Sequence, residues 1–123
     1  TGTPKDILHA NQLILESMKD EQNDGIFIGK NCTIEPGSKI ISPVIIDENS
    51  IIKSSTIIGP NVSIGKNSYL QKCTIKNSII MNDCKIDASV QIVDSIIADG
   101  TEIKKNTSNE SVYLLGERSQ VNF

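Results

Sequence analysis

Residues that could serve as a nucleophile or a general base are few in this chain. His9 is its one histidine, and Cys32, Cys73 and Cys84 are its three cysteines. Acyl transfer usually relies on a histidine as general base, and a nucleophilic thiol needs a base beside it. His9 falls in a segment with helical periodicity, and Cys73 has no histidine partner in the repeats around it. The sequence therefore predicts no catalytic residue in this chain.

The cysteines and acidic residues also lack the pattern of a metal or redox site. The cysteine number is odd and its spacings match no zinc or redox motif, which argues against a disulfide scaffold and favours a reducing, cytoplasmic compartment. Asp83, Asp94 and Asp99 stand among lysines and are interpreted as charged surface. We predict no metal site and no cofactor within the chain.

Composition excludes several classes of function. At 123 residues and 13.4 kDa the chain has the size of one domain. A net charge of -3, 3% aromatic residues and no Trp argue against a nucleic-acid partner. The longest apolar runs hold about four residues, whereas a membrane-spanning helix needs about 20. We expect a soluble protein with one core and no signal peptide.

Residues 1–19 have the pattern of an amphipathic helix. Thr3 is suited to cap it, Pro4 to occupy its first position, and Asp6 stands three residues after the cap. The apolar residues recur at helical spacing and predict one stripe that packs on another element: Ile7, Ala10, Ile14, Leu15 and Met18. Residues 20–25 are polar, end in Gly and read as a connector.

After the connector the period changes to six residues. Isoleucine accounts for 22 of the 123 residues, and most of them stand in one row. Its members are six apart at first and then five or six apart: Ile28, Ile34, Ile40, Ile46, Ile52, Ile58, Ile64, Leu70, Ile75, Ile80, Ile86, Ile92, Ile97 and Ile103. A unit of six residues cannot bury its Ile alone, but three units form a triangular coil, and stacked coils bury a continuous column.

Small and turn-forming residues recur between members of the row. Four positions after many of its members stand small residues: Cys32, Ser38, Val44, Ser50, Thr56, Val62, Ser68, Thr74, Cys84, Val90 and Thr101. Asn or Gly often comes just before them, as at Asn31, Gly37, Asn49, Asn61, Asn67 and Gly100. Both residues tolerate the left-handed backbone of a tight corner. An ordinary β-sandwich would instead need alternating apolar positions and hairpin turns.

These patterns predict an all-β fold: a parallel β-helix of about four to five triangular coils over residues 26–103, preceded by one α-helix. General topology favours right-handed crossovers. The left hand is expected because the repeats Ile-Gly-Lys-Asn-Cys-Thr at 28–33 and Ile-Gly-Pro-Asn-Val-Ser at 58–63 resemble those of the hexapeptide family of left-handed β-helices.

The N-terminal segment carries a second resemblance. Thr-Gly-Thr-Pro-Lys-Asp-Ile-Leu-His-Ala-Asn at 1–11 is similar to the stretch that closes the catalytic domain of sugar-1-phosphate nucleotidylyltransferases, most like long-form glucose-1-phosphate thymidylyltransferases. The resemblance implies that residues 1–19 close a catalytic domain missing from this chain. That domain would make a nucleotide sugar and pyrophosphate from a nucleoside triphosphate and a sugar 1-phosphate, with Mg²⁺ as its metal.

The same resemblance limits what this chain does alone. The family's Gly-rich nucleotide loop has no counterpart here, so the chain is expected to be part of a longer enzyme and to have no activity by itself. Thr1, Gly2 and Thr3 are candidates for lining the substrate edge of the missing domain. Their alternative role is that of a helix cap and its lead-in.

A second enzyme class has to be weighed because many hexapeptide β-helices are acyltransferases that use acetyl-CoA. Such enzymes usually place a histidine on the coils as general base, and His9 lies in the leading helix instead. Acyl transfer is therefore the alternative hypothesis. A structural and regulatory module that fixes the oligomeric state is the third interpretation, so the β-helix would serve oligomerisation or regulation.

The outward residues of one face favour that third interpretation. Residues that flank the inward Ile on the face of Ile28, Ile46, Ile64, Ile80 and Ile97 are largely apolar. We predict an interface at Phe27, Ile45, Ile79, Met81, Ile96 and Ala98, and a homo-oligomer formed through the β-helix. The next face carries Glu35, Lys53, Gln71, Asp87 and Lys104 along one edge and is predicted to be solvated. Residues 104–123 are interpreted as a loop and one strand that covers the end of the β-helix.

Overall fold

The leading helix forms as its capping pattern predicts. In the computed structural model, which describes residues 3–18, 23–104, 113–116 and 121–122, helix α1 spans Pro4–Met18. The backbone N–H of Asp6 donates to Thr3 Oγ1 at 3.2 Å, and that of Ile7 to the Thr3 carbonyl at 3.0 Å. These bonds satisfy N–H groups that the first helical turn leaves without partners. A 3₁₀ turn at Asn23–Gly25 precedes the first strand.

Short strands follow one another without hairpins. Their bounds are β1 Ile26–Ile28, β2 Thr33–Ile34, β3 Lys39–Ile40, β4 Val44–Ile46, β5 Ile51–Ile52, β6 Ile57–Ile58, β7 Val62–Ile64, β8 Tyr69–Gln71, β9 Thr74–Lys76, β10 Ser78–Ile80, β11 Lys85–Asp87, β12 Gln91–Ile97, β13 Glu102–Lys104, β14 Tyr113–Gly116 and β15 Val121–Asn122. Each strand pairs in parallel with the strand one coil further along. The result is a solenoid of about five turns.

Three flat faces make up the solenoid. We call face A the column β1, β4, β7, β10 and the last part of β12, face B the column β2, β5, β8, β11, β13 and β15, and face C the column β3, β6, β9, the first part of β12 and β14. Strand β12 turns the corner from face C to face A without a break, which joins these two faces into one nine-stranded sheet.

The predicted row of isoleucines is the core of the solenoid. Successive members on face A stand in register: Ile28 with Ile46, Ile46 with Ile64, and Ile64 with Ile80. The members from Ile46 to Ile103 are buried and form one continuous apolar cluster. Ile28 keeps 47% of its surface exposed, because no strand of the described residues pairs with β1 on the side away from β4. The core is therefore closed along its length and open at the first coil.

The corners use the left-handed backbone that Asn and Gly were predicted to supply. The corner between faces A and B has positive φ at the equivalent residue of every coil, from 59° to 75°: Asn31, Asn49, Asn67, Asp83 and Gly100. Gly59 has φ 107°, and a Cβ there would lie 1.8 Å from the Ile41 carbonyl oxygen. Only glycine fits at that corner.

Small inward side chains close the same corner with hydrogen bonds between coils. Ser50 Oγ donates to the Gly65 carbonyl at 2.9 Å, and Ser68 Oγ to the Met81 carbonyl at 3.3 Å. Cys32 and Cys84 make the corresponding bonds through sulfur, to Asp47 and Ala98. These bonds satisfy corner carbonyls that leave the strand ladders. The small residues are thus selected for size and for hydrogen-bonding capacity together.

One small inward position was predicted one residue too late. Cys73 is fully buried and precedes Ile75 by two positions, as Thr56 precedes Ile58, whereas Thr74 is only half-buried. The coil from Ile58 to Ile75 has 17 residues (75 minus 58) and that from Ile40 to Ile58 has 18 (58 minus 40). The coil from Ile58 to Ile75 is one residue shorter before its corner. The small residue therefore keeps its distance of two positions from the following Ile.

The C-terminal part differs from the prediction of one covering strand. Two short strands are present, and they continue the coils: β14 pairs with β12, and β15 pairs with β13. The rest of the predicted loop and tail, residues 105–112, 117–120 and 123, lies outside the described residues. Among the helices that the structure describes, none has the length and apolar character needed to cross a membrane.

Candidate functional site: the outer surface of face A

Helix α1 lies across the outer surface of face A. Its main strand contacts are with β7, β10 and β12. Leu8 and Leu15 are the buried residues of the helix, at 7% and 0% exposure. Ser63 Oγ of β7 also donates to Asn11 Oδ1 at 2.7 Å. The prediction that this helix packs on another element is confirmed, and that element is face A.

The stripe that makes this contact is the predicted one only in part, because Leu15 was predicted and is buried, whereas Leu8 was not predicted. Leu8 and Leu15 pack inward, while Ile7 and Ile14 are 45% and 57% exposed. Ala10 is exposed as well. Apolar residues occupy two adjacent stripes of this helix, and the predicted set combined members of both. An apolar helix flank therefore remains on the surface of this chain.

The six predicted interface residues do not form one open patch. Ile96 is only 4% exposed because it lies in β12 beneath α1. Phe27, Ile45, Ile79 and Ala98 are half-buried, and Met81 is 40% exposed. The helix thus covers face A mainly at the third to fifth coils. Phe27 and Ile45, at the first two coils, lie outside these main contacts.

A cleft of about 770 Å³ separates the start of α1 from the corner before face A. Thr3, His9 and Gln12 line it on the helix side, and Asn77 and Asp94 on the solenoid side. Asn77 Nδ2 donates a hydrogen bond to Asp94 Oδ1. Thr1 and Gly2, the other two candidates for a substrate edge, lie outside the described residues. His9 is exposed on the helix and not on a coil.

Two of the three cysteines, Cys73 and Cys84, do not supply a reactive thiolate. Cys73 is completely buried, and desolvation raises the pKa of its thiol to about 12. Burial also raises the pKa of Cys84, whose sulfur donates to the Ala98 carbonyl at 3.2 Å. All three cysteines are free thiols. A buried thiol held protonated is a packing residue and a poor nucleophile.

The acidic residues near face A act as corner acceptors. Asp99 Oδ1 accepts from the Asn82 backbone N–H at 2.8 Å, and Asp83 Oδ1 from Asn67 Nδ2 at 3.2 Å. Within the ranges that the structure describes, no group of three or more His, Cys, Asp or Glu side chains could hold a metal ion. The carboxylates of Asp83, Asp94 and Asp99 each bind a neighbouring coil's amide instead.

Face B carries the ion pairs expected of a solvated surface. Lys53 Nζ lies 2.7 Å from Glu35 Oε2, Lys72 Nζ 3.9 Å from Asp87 Oδ1, and Lys104 Nζ 3.3 Å from Glu102 Oε1. The hydrogen bond from Lys53, together with that from the Ser54 N–H, lowers the pKa of Glu35. Glu35 in turn raises the pKa of Lys53. The apolar outer surface is therefore confined to α1, face A and the first coils.

Comparison with known proteins now places the chain. A family model described as the GMPPB C-terminal domain matches residues 40–123, more than half of the chain. The chain belongs to this family. The match agrees with the resemblance of residues 1–11 and of the repeats to sugar-1-phosphate nucleotidylyltransferases.

Two curated relatives match a larger share of the chain than the family model does. The chain is 42% identical over 113 residues to the low-salt glycan biosynthesis nucleotidyltransferase Agl11 of Haloferax volcanii. This match covers 84% of this chain and 32% of the relative. It is 35% identical over 108 residues to a bifunctional sugar-1-phosphate nucleotidylyltransferase/acetyltransferase of Sulfurisphaera tokodaii, covering 83% of this chain and 24% of the relative. A probable mannose-1-phosphate guanyltransferase of Schizosaccharomyces pombe is 41% identical over 69 residues, covering 55% of this chain and 17% of the relative. The chain spans about a third or less of the length of these relatives.

A solved structure supports the fold. A hexapeptide-repeat acetyltransferase of Vibrio cholerae, complexed with acetyl coenzyme A, superposes with a TM-score of 0.59 at 13% identity, covering 96% of this chain and 83% of that chain. At this identity the likeness concerns the fold alone. It confirms the left-handed β-helix predicted for the family.

Proposed function

We propose that this chain is the assembly module of a longer enzyme that joins a nucleoside triphosphate to a sugar 1-phosphate and releases pyrophosphate. Family membership and the names of the relatives support the reaction class. The observation that carries the proposal is the packing of α1 on face A, with Leu15 fully buried. Helix α1, whose first residues resemble the end of a catalytic domain, thereby forms one unit with the solenoid.

For the substrates we propose deoxythymidine triphosphate and glucose 1-phosphate. This choice rests on the resemblance of residues 1–11 to long-form thymidylyltransferases. The relatives' names include a guanyltransferase, which makes guanosine triphosphate with mannose 1-phosphate the competing pair. Mg²⁺ is expected for such chemistry. Among the described residues, no group of three or more His, Cys, Asp or Glu side chains could bind it.

The chemistry of the solenoid itself supports assembly over acyl transfer. No histidine stands on the coils, because His9, the only one in the sequence, lies in α1. Cys73 is buried with its pKa raised to about 12, so it offers no nucleophile. The exposed side chains of Ile7 and Ile14 on α1, and the half-buried Phe27 and Ile45 at the first two coils, support a homo-oligomer.

The test is an assay of the longer protein that includes the region upstream of Thr1. Pyrophosphate release is measured for each nucleoside triphosphate with glucose 1-phosphate, mannose 1-phosphate and N-acetylglucosamine 1-phosphate. The proposal expects the highest kcat/KM for deoxythymidine triphosphate with glucose 1-phosphate. Preference for another pair would contradict the substrate assignment, and no pyrophosphate release with any pair would contradict the reaction class.

A further inference from the structure

The cleft beside the start of α1 has the size of a small-molecule site. Its volume is about 770 Å³, and ligand sites in proteins commonly enclose about 300–1,000 Å³. Helix α1 forms one wall, and the turn between β9 and β10 and the corner within β12 form the other. Because Leu8 and Leu15 are buried where α1 packs on face A, the two walls belong to one packed unit.

The solenoid wall carries two acceptors that are held in place. Asn77 and Asp94 stand at equivalent corners of successive coils, and their φ angles are 47° and 52°. Asn77 Nδ2 donates a hydrogen bond to Asp94 Oδ1, which orients both side chains. Asn77 Oδ1 and Asp94 Oδ2 then have no hydrogen-bond partner among the described residues. Two oriented oxygens on one wall are suited to accept hydrogen bonds from a ligand.

The helix wall adds donors, a further acceptor and apolar surface. Gln12 Nε2 donates to Glu16 Oε2 at 3.2 Å, which leaves Gln12 Oε1 to accept. The imidazole of His9 and the ammonium of Lys5 make no hydrogen bond or ion pair with the other described residues. Leu8, which is 7% exposed, supplies apolar surface to the same wall. A hydroxyl group both donates and accepts, so a ligand with several hydroxyls matches this mixture.

The charges of the cleft favour a neutral ligand. Two carboxylates, of Asp6 and Asp94, line it beside one ammonium, of Lys5. A phosphate or carboxylate in this cleft would face like charges, which weakens binding. The backbone N–H groups of Asp6 and Ile7 are already bonded to Thr3, so the start of the helix does not offer these donors to an anion. The ligand that fits is uncharged and rich in hydroxyls.

We propose that this cleft binds a neutral hexose unit, with Asn77 and Asp94 accepting hydrogen bonds from its hydroxyls and Leu8 against its C–H groups. The inference rests on the proposed function for its ligand class, because the substrates of that reaction are derivatives of hexoses. It adds a binding site outside the domain that would carry out the reaction. A free hexose and the end residue of an oligosaccharide present the same hydroxyls, and the test distinguishes them.

Nuclear magnetic resonance titration of the 123-residue chain tests the site. Amide chemical shifts are followed while D-glucose, D-mannose or maltotriose is added. A hexose is expected to bind with a Kd of about 1–10 mM, the range for an ordinary ligand of this size. Saturable shift changes should be confined to residues 3–12 and to the corners at Asn77 and Asp94. Stronger binding of maltotriose than of glucose would identify the end residue of an oligosaccharide as the ligand, and equal or weaker binding would identify a free hexose.

A matched pair of corner variants tests the acceptors. Asp94→Asn keeps an acceptor for Asn77 but removes the charge. It should raise the Kd for glucose about threefold or more, because charge-assisted hydrogen bonds are roughly twice as strong as neutral ones. Asp83→Asn is the control, since Asp83 accepts from Asn67 Nδ2 at a different corner and has a similar φ of 61°. The control should leave the Kd unchanged.

A second pair of variants tests the cleft itself. Gln12→Trp should fill the cleft and abolish the shift changes. Ser17→Trp, at an exposed position of the same helix that does not line the cleft, should leave them unchanged. Far-UV circular dichroism checks that each variant is folded. The titration is then repeated on the longer protein, where the preceding domain has to leave the cleft open.

Several results would contradict the hexose site. These are no shift change with any of the three sugars up to about 50 mM, well above the expected Kd, and equal changes with glycerol. Tighter binding of glucose 1-phosphate than of glucose would overturn the neutral ligand. Changes that persist in Gln12→Trp, an equal effect of Asp83→Asn and Asp94→Asn, or loss of binding in the longer protein would overturn the location. The pyrophosphate assay tests the reaction class separately, so the two proposals can fail independently.

Discussion

Each face of the solenoid repeats two residues that carry different parts of its stability. A large β-branched or leucine side chain fills the middle of the face, and a small one stands two positions earlier at the corner. On face A these are Val62 and Ile64, then Ser78 and Ile80. The large residue contributes apolar burial, and the small residue allows the corner to turn inward.

Truncating an inward isoleucine should therefore cost far more than truncating an outward one. Ile64 is 2% exposed in the middle of the core, while Ile57 on face C points outward and is 37% exposed. We expect Ile64→Ala to lose free energy of unfolding in the upper half of about 2–5 kcal/mol, because stacked coils leave little room to collapse around the cavity. Ile57→Ala should lose less than about 1 kcal/mol. Urea midpoints followed by circular dichroism compare the two, and equal midpoints would contradict the register.

The ion pair on face B predicts a dependence on pH. The hydrogen bond from Lys53 lowers the pKa of Glu35, so the folded carboxyl titrates below the unfolded one. The stability that Glu35 contributes is then fully present above its unfolded pKa and is lost as the pH falls through its folded pKa. We expect Glu35→Gln to be less stable than wild type at neutral pH, with a difference that shrinks in acid. Urea midpoints across that range measure it.

Removing the partner gives the matched control. Lys53→Met takes away the hydrogen bond at 2.7 Å that is the largest cause of the shift. Two differences in unfolding free energy are compared as the pH falls. One is between wild type and Glu35→Gln, and the other is between Lys53→Met and the double variant Lys53→Met with Glu35→Gln. The second difference should change less with pH than the first. The effect is small for a pair this exposed. A difference between wild type and Glu35→Gln that does not change with pH would rule out the ion pair as its source.

Among the elements, α1 shows where sequence reasoning succeeds and where it stops. Its start at Thr3 follows from local capping chemistry, which the sequence contains in full. Its packing face depends on which stripe the solenoid accommodates, and apolar residues occupy both candidates. Local spacing cannot choose between Ile7 with Ile14 and Leu8 with Leu15, since the choice is made by β7, β10 and β12.

Neighbouring residues of α1 allow a direct test of its packing. Leu15 is fully buried and Ile14 is 57% exposed. We expect Leu15→Ala to release the helix from face A, because it removes the largest buried side chain of the contact. Amide hydrogen exchange within residues 4–18 should then accelerate, while the coils stay protected. The same substitution at Ile14 should leave this exchange unchanged, and faster exchange in both variants would contradict the assigned packing face.

The strands were predictable because their repeat is nearly invariant. The inward row and the left-handed corners at Asn31, Asn49 and Asn67 follow from six-residue spacing alone. The small inward position was predicted at Thr74 and lies at Cys73, because a coil of 17 residues moves the corner. The sequence pattern also did not indicate that α1 covers Ile96. A period places residues on a coil, but it does not show where a coil shortens or which outer residues another element buries.

At the scale of the whole molecule, the residues of the coils serve packing and hydrogen bonding. The coils consist of apolar columns, small corner residues and amide–carboxylate hydrogen bonds, with the only histidine outside them on α1. The match to the GMPPB C-terminal domain and to relatives about three times longer or more is consistent with a module attached to a catalytic domain. Under the proposed assembly role, we expect its apolar surfaces to serve contact between copies or domains.

Turnover by the isolated 123-residue chain tests this account most directly. The purified chain is incubated with acetyl-CoA and amino sugars, and release of the free thiol is measured beside the variant His9→Ala. The account predicts no turnover above background for either protein, because the coils carry no histidine and the Cys73 thiol is buried and held protonated. Thiol release that persists in His9→Ala would show that the coils carry an acyltransferase site of their own, and it would contradict the assignment of this domain to assembly.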